Sequence, residues 1–148
     1  MVKLPPPIWA LICTLAALAI SRALHWPPIP GLHSPLPGMA LVVLSFAPAL
    51  WAVALFRREG TELNPNSPTN RKLVVSGPFR FTRNPMYVGL VLLTLGTALW
   101  VDAWPLLLAP VAIFAISNWV HIPFEEAKMR AQFGEAFDAY TRRVRRWL

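Results

Sequence analysis

Four long apolar blocks dominate the pattern of hydrophobic and polar positions along the chain. They cover about residues 8–24, 38–56, 85–101 and 104–120, and none shows the alternation of apolar and polar residues that is typical of a strand. A helix needs about 17–25 mostly apolar residues to cross the hydrocarbon layer, so each block can form a span. The pattern predicts one all-α domain, 1–148, built as an integral membrane four-helix bundle.

Composition supports a membrane protein. Hydrophobic residues make up 55% of the chain and charged residues only 14%, whereas soluble domains carry about 25% charged residues. A secretory signal peptide is the alternative interpretation of the first block, since Lys3 precedes its apolar run. The run is long for a signal peptide, and Ser21-Arg22-Ala23 is a poor cleavage site.

The basic residues predict the orientation of the spans. With four spans, thirteen of the fourteen Lys and Arg residues fall on one side of the membrane, and only Arg22 falls on the other. The positive-inside rule then places both termini and the 57–84 loop in the cytoplasm, as expected for a protein of a bacterial cytoplasmic membrane. The net charge of +7 is explained by this orientation, and no nucleic-acid-binding motif accompanies it.

The segment after the fourth block predicts a C-terminal helix over residues 123–146. Pro123, followed by Glu125 and Glu126, is typical of a helix start, where acidic residues complement the helix dipole. Apolar residues then recur at helical spacing, and arginines crowd the end of the segment. The apolar stripe consists of Phe133, Phe137, Tyr140 and Val144. We expect an amphipathic helix that lies on the membrane or folds over the loop before the third span.

Two polar clusters should meet at the cytoplasmic interface. The third and fourth blocks are separated only by Asp102 and Ala103, so they should form an antiparallel hairpin. Asn84, at the start of the third block, would then lie beside His121, at the end of the fourth. A simpler explanation exists for Asn84-Pro85, because Asn is a preferred N-cap and Pro is favoured at the first helical position. The three histidines are too scattered to predict a metal site by local spacing.

The motifs in these clusters resemble a known family. GPFRFTRNPMYVG over residues 77–89, followed by the hairpin and then by HIPFEE over 121–126 and FGEAFDAY over 133–140, is similar to the isoprenylcysteine carboxyl methyltransferase and phospholipid methyltransferase superfamily. The resemblance covers about residues 57–146 and includes the EGTELNP stretch of small bacterial members. It implies S-adenosylmethionine as cofactor and methyl transfer to a lipophilic acceptor that reaches the site from the bilayer.

The resemblance also implies the residues of the site. Those expected to bind the cofactor are Arg71, Lys72, Leu73, Val74, Phe79, Arg83, Asn84, Pro85, Met86, Tyr87, Glu125 and Glu126. His121 and Glu126 are the expected catalytic residues. Eukaryotic members carry His at the position of Asn84 and Arg at the position of His121.

The chemistry is consistent with these residue types. A sulfonium donor carries its own leaving group, so the protein must mainly bind, align and exclude water. An amine acceptor would also need a base such as His121 or a glutamate, whereas a carboxylate acceptor would not. Two alternatives remain open at this point: a non-enzymatic accessory or lipid-binding protein, and a membrane reductase that uses a nicotinamide cofactor.

Overall fold

The part of the chain that the structure describes is entirely helical. The structure, a computed structural model, describes residues 4–32, 34–61 and 72–148, and no strand occurs among them. The α-helices are α1 (Pro6–Ala23), α2 (Leu36–Glu59), α3 (Pro85–Val101), α4 (Leu108–Ile116), α5 (Ile122–Phe133) and α6 (Glu135–Arg143). Short 3₁₀ turns cover Gly77–Arg80 and Trp104–Leu107, and a π-helical turn covers Ser117–His121.

Three helices of the described residues are long and apolar enough to cross a membrane. They are α1, α2 and the continuous helical stretch Trp104–Phe133, which joins α4 to α5 through the π turn. Helix α3 is also apolar but has only 17 residues. Large hydrophobic side chains such as Val43, Leu44 and Leu50 point away from the protein, as expected where lipid rather than water covers the surface. The described residues are therefore those of a helical membrane protein.

Helices α2 and α3 form the most extensive helix–helix interface. Glycines allow their backbones to approach closely. A Cβ atom at Gly89 would lie 2.7 Å from the carbonyl oxygen of Ser45, and one at Gly96 would lie 2.7 Å from the backbone nitrogen of Val42. Small residues at such interfaces are typical of membrane helix pairs, which associate through close packing.

A two-residue turn connects α3 to the helical stretch that follows. Asp102 ends α3 in the left-handed region, with φ of 53°, which Asp adopts more readily than most residues. Its side-chain oxygen accepts a hydrogen bond of 2.8 Å from the backbone N–H of Ile29. Asp102 therefore also joins the α1–α2 connection to the turn at the end of α3.

The region after the fourth apolar block differs from the prediction of a separate helix over 123–146. No new helix begins at Pro123, because the helix runs through from α4 to α5. Pro123 lacks the N–H that would donate to the carbonyl of Trp119 in an α-helix, and the π turn ends two residues before it. The predicted helix is also divided at Gly134, whose φ is +49°, and α6 ends at Arg143.

Helix α6 packs back on the segment that precedes α3. Phe137 and Tyr140 are buried in a cluster with Val74, Phe79 and Ala52 of α2. Phe133 and Val144, the other members of the predicted apolar stripe, pack against the same cluster. The stripe was expected to lie on the membrane or over the loop before the third span. Its side chains contact that loop.

Candidate functional site

One cavity of about 460 Å³ collects the residues that the motifs singled out. It lies where α1 and α3 begin and α2 ends, with α5 and α6 closing one side. The predicted residues that line it are Lys72, Leu73, Val74, Phe79, Arg83, Asn84, Pro85, Met86, Tyr87, His121, Glu125 and Glu126. Arg71, the remaining predicted residue, lies outside the described residues. Segments far apart in sequence thus contribute to one site.

Tyr87 and Glu125 form the closest polar pair of the cavity. Tyr87 lies in the first turn of α3 and is 5% exposed. Its hydroxyl donates a hydrogen bond of 2.6 Å to Oε1 of Glu125 on α5. A short O–H···O distance of this kind is typical of a charge-assisted bond. The bond fixes one carboxylate oxygen of Glu125 against α3.

His121 lies beside this pair, at the end of the π turn. Its ring centroid is 6.2 Å from that of Tyr87, and the residue is only 3% exposed. Nε2 of His121 is buried and has no hydrogen-bond partner among the described residues. Because buried polar atoms are normally paired, this nitrogen indicates a place where a bound molecule would supply the partner.

Arg83, in the loop that precedes α3, and Glu126, on α5, form a half-buried ion pair. Nη2 of Arg83 donates to Oε1 of Glu126 at 2.7 Å, and Nη1 of Arg83 donates to the carbonyls of Thr141 and Val144 at 3.1 Å each. Glu126 also binds Arg146, whose Nη2 donates to Oε2 at 2.6 Å. Both carboxylate oxygens of Glu126 are thus bonded to arginine. Nε of Arg83, by contrast, is buried and unpaired among the described atoms.

Asn84 does not act as a side-chain cap of α3. It occupies the N-cap position, and Pro85 follows as predicted, but the Asn84 side chain makes no capping hydrogen bond. Its Nδ2 instead donates to the carbonyl oxygen of Arg146 at 2.9 Å. The N–H of Asn84 is bonded to Oγ1 of Thr82 at 3.1 Å. The capping explanation for this residue is therefore not what the structure shows.

The rest of the cavity wall is mainly apolar. Part of this wall comes from α1, from α2 and from Leu90 of α3, and the sequence patterns did not single out these contributions. The additional apolar lining residues are Leu4, Pro5, Pro6, Pro7, Ala49, Phe56, Leu90, Phe124, Met129 and Phe137. The apolar stripe of the C-terminal segment included Phe137. The sequences of α1 and α2 are uniformly hydrophobic, so no pattern in them distinguishes the lining residues from their neighbours.

Tyr140 joins α6 to the Gly77–Arg80 turn. Its buried hydroxyl donates a 2.7 Å hydrogen bond to the carbonyl oxygen of Phe79. Burial raises the pKa of the Tyr140 phenol, and the nearby positive charge of Arg83 opposes this only in part. The phenol therefore remains a hydrogen-bond donor throughout the physiological pH range.

The polar end of the cavity can hold a molecule that carries charges of both signs. Glu125 offers a carboxylate, and His121 offers an unpaired imidazole nitrogen. Lys72 lies at the rim, exposed and paired with Glu59 at the end of α2. No group of three His, Cys, Asp or Glu side chains in the described ranges is arranged to bind a metal ion. The cavity thus combines an apolar wall with a small cluster of charged and polar groups.

Comparisons with known proteins place the chain in a family. A protein of Haemophilus influenzae described as "Uncharacterized protein" is 33% identical over 66 residues, which cover 43% of this chain and 100% of that relative. No solved structure matches the chain significantly. The sequence model of the phospholipid methyltransferase family matches residues 34–136, well over half of the chain, which confirms the resemblance drawn from the motifs. The chain belongs to the phospholipid methyltransferase family.

Proposed function

We propose that this protein is an S-adenosylmethionine-dependent methyltransferase that acts on a lipophilic acceptor dissolved in the membrane. The observation that carries the proposal is the cavity, which unites Tyr87, His121 and Glu125 with a largely apolar wall. Family membership supports methyl transfer to a lipid-like molecule. A soluble cofactor and a membrane-dissolved acceptor must meet near the membrane surface, and the cavity lies where spanning helices end.

The residues of the cavity fit the proposed cofactor. S-adenosylmethionine supplies an electrophilic methyl group on a positively charged sulfur, and it carries an amino group and a carboxylate. Glu125 is suited to the positive charges, because its second oxygen is not used by Tyr87. The unpaired Nε of Arg83 and the amide of Asn84 are suited to the carboxylate. The apolar side chains of Leu73, Val74 and Phe79 would cover its flat, weakly polar ring.

The chain's own residues would act by binding, positioning and proton transfer. Tyr87 holds Glu125 in place through the 2.6 Å hydrogen bond, so the carboxylate is oriented before a ligand enters. His121 is the better candidate for a general base, because both oxygens of Glu126 are bonded to arginines whereas Nε2 of His121 is free of such bonds. A proton from an acceptor amine or thiol would go to this nitrogen.

We propose that α1, α2, α3 and the stretch Trp104–Phe133 form four spans, with the cavity on the cytoplasmic side and α6 at the interface. Three of these helices meet the length for a span, and α3 lies against α2 over most of its own length. The start of α1, the end of α2 and the start of α3 all line the cavity, so they share one end of the bundle. Of the twelve Lys and Arg residues in the described ranges, all except Arg22 fall on that side in the four-span arrangement.

Calorimetric titration of the purified protein in lipid nanodiscs tests the cofactor. We expect S-adenosylmethionine to bind and NADPH not to bind. Glu125→Gln should weaken S-adenosylmethionine binding at least about tenfold, because it removes the carboxylate that faces the cavity. Glu135→Gln is the matched control, since Glu135 is an exposed acid at the start of α6.

Methyl transfer is tested separately, with labelled S-adenosylmethionine and membrane lipid extracts followed by mass spectrometry of the lipid fraction. Appearance of label in an extractable lipid that depends on His121 would support both the reaction and the proposed base. Binding of NADPH without S-adenosylmethionine binding would instead favour a reductase. Absence of binding by either cofactor would contradict an enzymatic role that uses these cofactors.

A further inference from the structure

The five residues that follow α6 form an extended segment beside the candidate site. Val144 has φ of −121° and ψ of 131°, so the chain leaves the helix in an extended conformation. We call residues 144–148 the strap. It runs beside the loop that leads into α3 and reaches the π turn. Arginine clusters of this kind favour anionic lipid surfaces, but the strap makes contacts that a lipid anchor would not need.

The backbone of the strap binds the loop before α3 at three consecutive residues. The N–H of Arg83 donates to the carbonyl of Arg145 at 3.0 Å. Oγ1 of Thr82 and Nδ2 of Asn84 both donate to the carbonyl of Arg146, at 3.0 and 2.9 Å. The strap thus fixes the position of Arg83 and Asn84, the two of these loop residues that line the cavity.

The side chains of the strap bind the other half of the site. Arg146 donates to both oxygens of Glu126, at 3.2 and 2.6 Å. Its Nη1 lies 3.4 Å from two oxygen atoms of Asn118 in the π turn. Trp147 donates from its indole nitrogen to Oδ1 of Asn118 at 3.0 Å, and its ring lies against Phe114 with 4.7 Å between centroids. One segment therefore connects the loop, Glu126 and the π turn.

We infer that Arg146 is a positioning residue for the proposed cofactor site. Glu126 has two arginine partners, and Arg83 supplies only one of its three hydrogen bonds. Without Arg146, the half-buried carboxylate of Glu126 loses the partner of Oε2, and unpaired buried charges are costly. Glu126 would then move towards water, or Arg83 would move together with it. As a result, Arg83 and Asn84 would no longer present the same surface to the cavity. The inference rests on the proposed function.

Coupling of this kind works in both directions. If the strap raises the affinity for the cofactor, the bound cofactor must stabilise the strap by the same free energy. Amide hydrogen exchange measures this without any turnover. The N–H of Arg83, bonded to the strap, and the amides of the strap itself should exchange more slowly when S-adenosylmethionine is bound.

The experiment compares the full-length wild type with Arg146→Gln and with Arg142→Gln as the matched control. Arg142 is an exposed arginine on α6, so its variant loses the same charge near the same surface. We expect Arg146→Gln to raise the dissociation constant for S-adenosylmethionine at least about tenfold and to abolish the ligand-dependent protection of residues 82–84. Arg142→Gln should remain within about twofold of the wild type. Arg146→Lys should bind with an affinity nearer to that of Arg146→Gln than to that of the wild type, because an ammonium group cannot bridge Glu126 and Asn118 together.

Each other result has a distinct meaning. Equal affinities in the wild type and Arg146→Gln would overturn the inference and leave the proposed cofactor intact. If Arg146→Gln does not fold, the wild-type exchange data still decide, because a strap whose protection is unchanged by S-adenosylmethionine is not coupled to the site. A wild type that fails to bind S-adenosylmethionine would refute the proposed function, and the inference with it.

Discussion

Tyr87→Phe removes one hydrogen bond from the site and leaves the aromatic ring in place. The lost bond is the 2.6 Å contact from the phenol to Oε1 of Glu125. Phe occupies nearly the same volume, so the packing around the ring, which lies beside His121, should be kept. The variant therefore isolates the part played by the hydroxyl group.

The expected cost follows from the nature of the acceptor. A hydrogen bond to a charged group contributes about 1.5–3 kcal/mol to stability, and a neutral one about 0.5–1.5 kcal/mol. Tyr140→Phe provides the matched comparison, because it removes an equally buried hydroxyl whose acceptor is the neutral carbonyl of Phe79. We expect Tyr87→Phe to lower the free energy of unfolding by about 1 kcal/mol more than Tyr140→Phe does.

Reversible denaturation in mixed micelles measures the two stabilities, and calorimetry measures the affinity for S-adenosylmethionine. Tyr87→Phe should also lower that affinity at least about tenfold, because Glu125 is no longer held in its binding position. When Glu125 is replaced by Gln, Tyr87→Phe should lower the free energy of unfolding by only about 0.5–1.5 kcal/mol, because the lost hydrogen bond is then a neutral one. Equal costs for both tyrosines, together with wild-type cofactor affinity, would refute the role assigned to the pair.

The remaining predictions concern packing, a turn and topology. Gly96→Ala should destabilise the protein by about 1–3 kcal/mol in the same denaturation assay, because its Cβ would overlap the backbone at Val42. Asp102→Ala should cost about 1–3 kcal/mol through the lost acceptor for Ile29, whereas Asp102→Asn, which tolerates the left-handed conformation and keeps an acceptor, should cost less than half as much. A reporter fused at Leu148 should be active in the cytoplasm, and a periplasmic signal would contradict the proposed orientation.

The sequence predicted the content of the site better than its internal bonding. The spacing of GPFRFTRNPMYVG and HIPFEE placed Tyr87, His121 and Glu125 in one cluster, and the cavity contains all three. An antiparallel hairpin brings the ends of two helices together whatever their exact packing, so this part depends only on chain order and helix length. The family resemblance supplied the remaining lining residues near the loop.

Tertiary contacts decided what the patterns could not. Asn84 followed by Pro85 has the form of an N-cap, but its side chain makes no capping hydrogen bond, and its Nδ2 donates instead to the carbonyl oxygen of Arg146. Four arginines near the end of the chain look alike in sequence, and Arg146 is distinguished by its contacts with Glu126 and Asn118, which lie far away along the chain. The residue types of 117–121 do not mark a π turn, although Pro123, two residues further on, interrupts the regular α-helical hydrogen bonding beside it.

The π turn before α5 sets the rotational phase between two halves of one long helix. Each residue of an α-helix turns the chain by about 100°, so the number of residues in Ser117–His121 determines which face of α5 is directed at the cavity. Inserting one residue there would rotate Glu125 and Glu126 by about 100° relative to α4, because the π turn already holds one residue more than a regular turn. Residues 108–116 would keep their contacts while the acidic pair turned away from Tyr87 and Arg83. Single-residue insertions in this turn should therefore be far more harmful to function than substitutions of Trp119 or Val120, whose side chains are exposed.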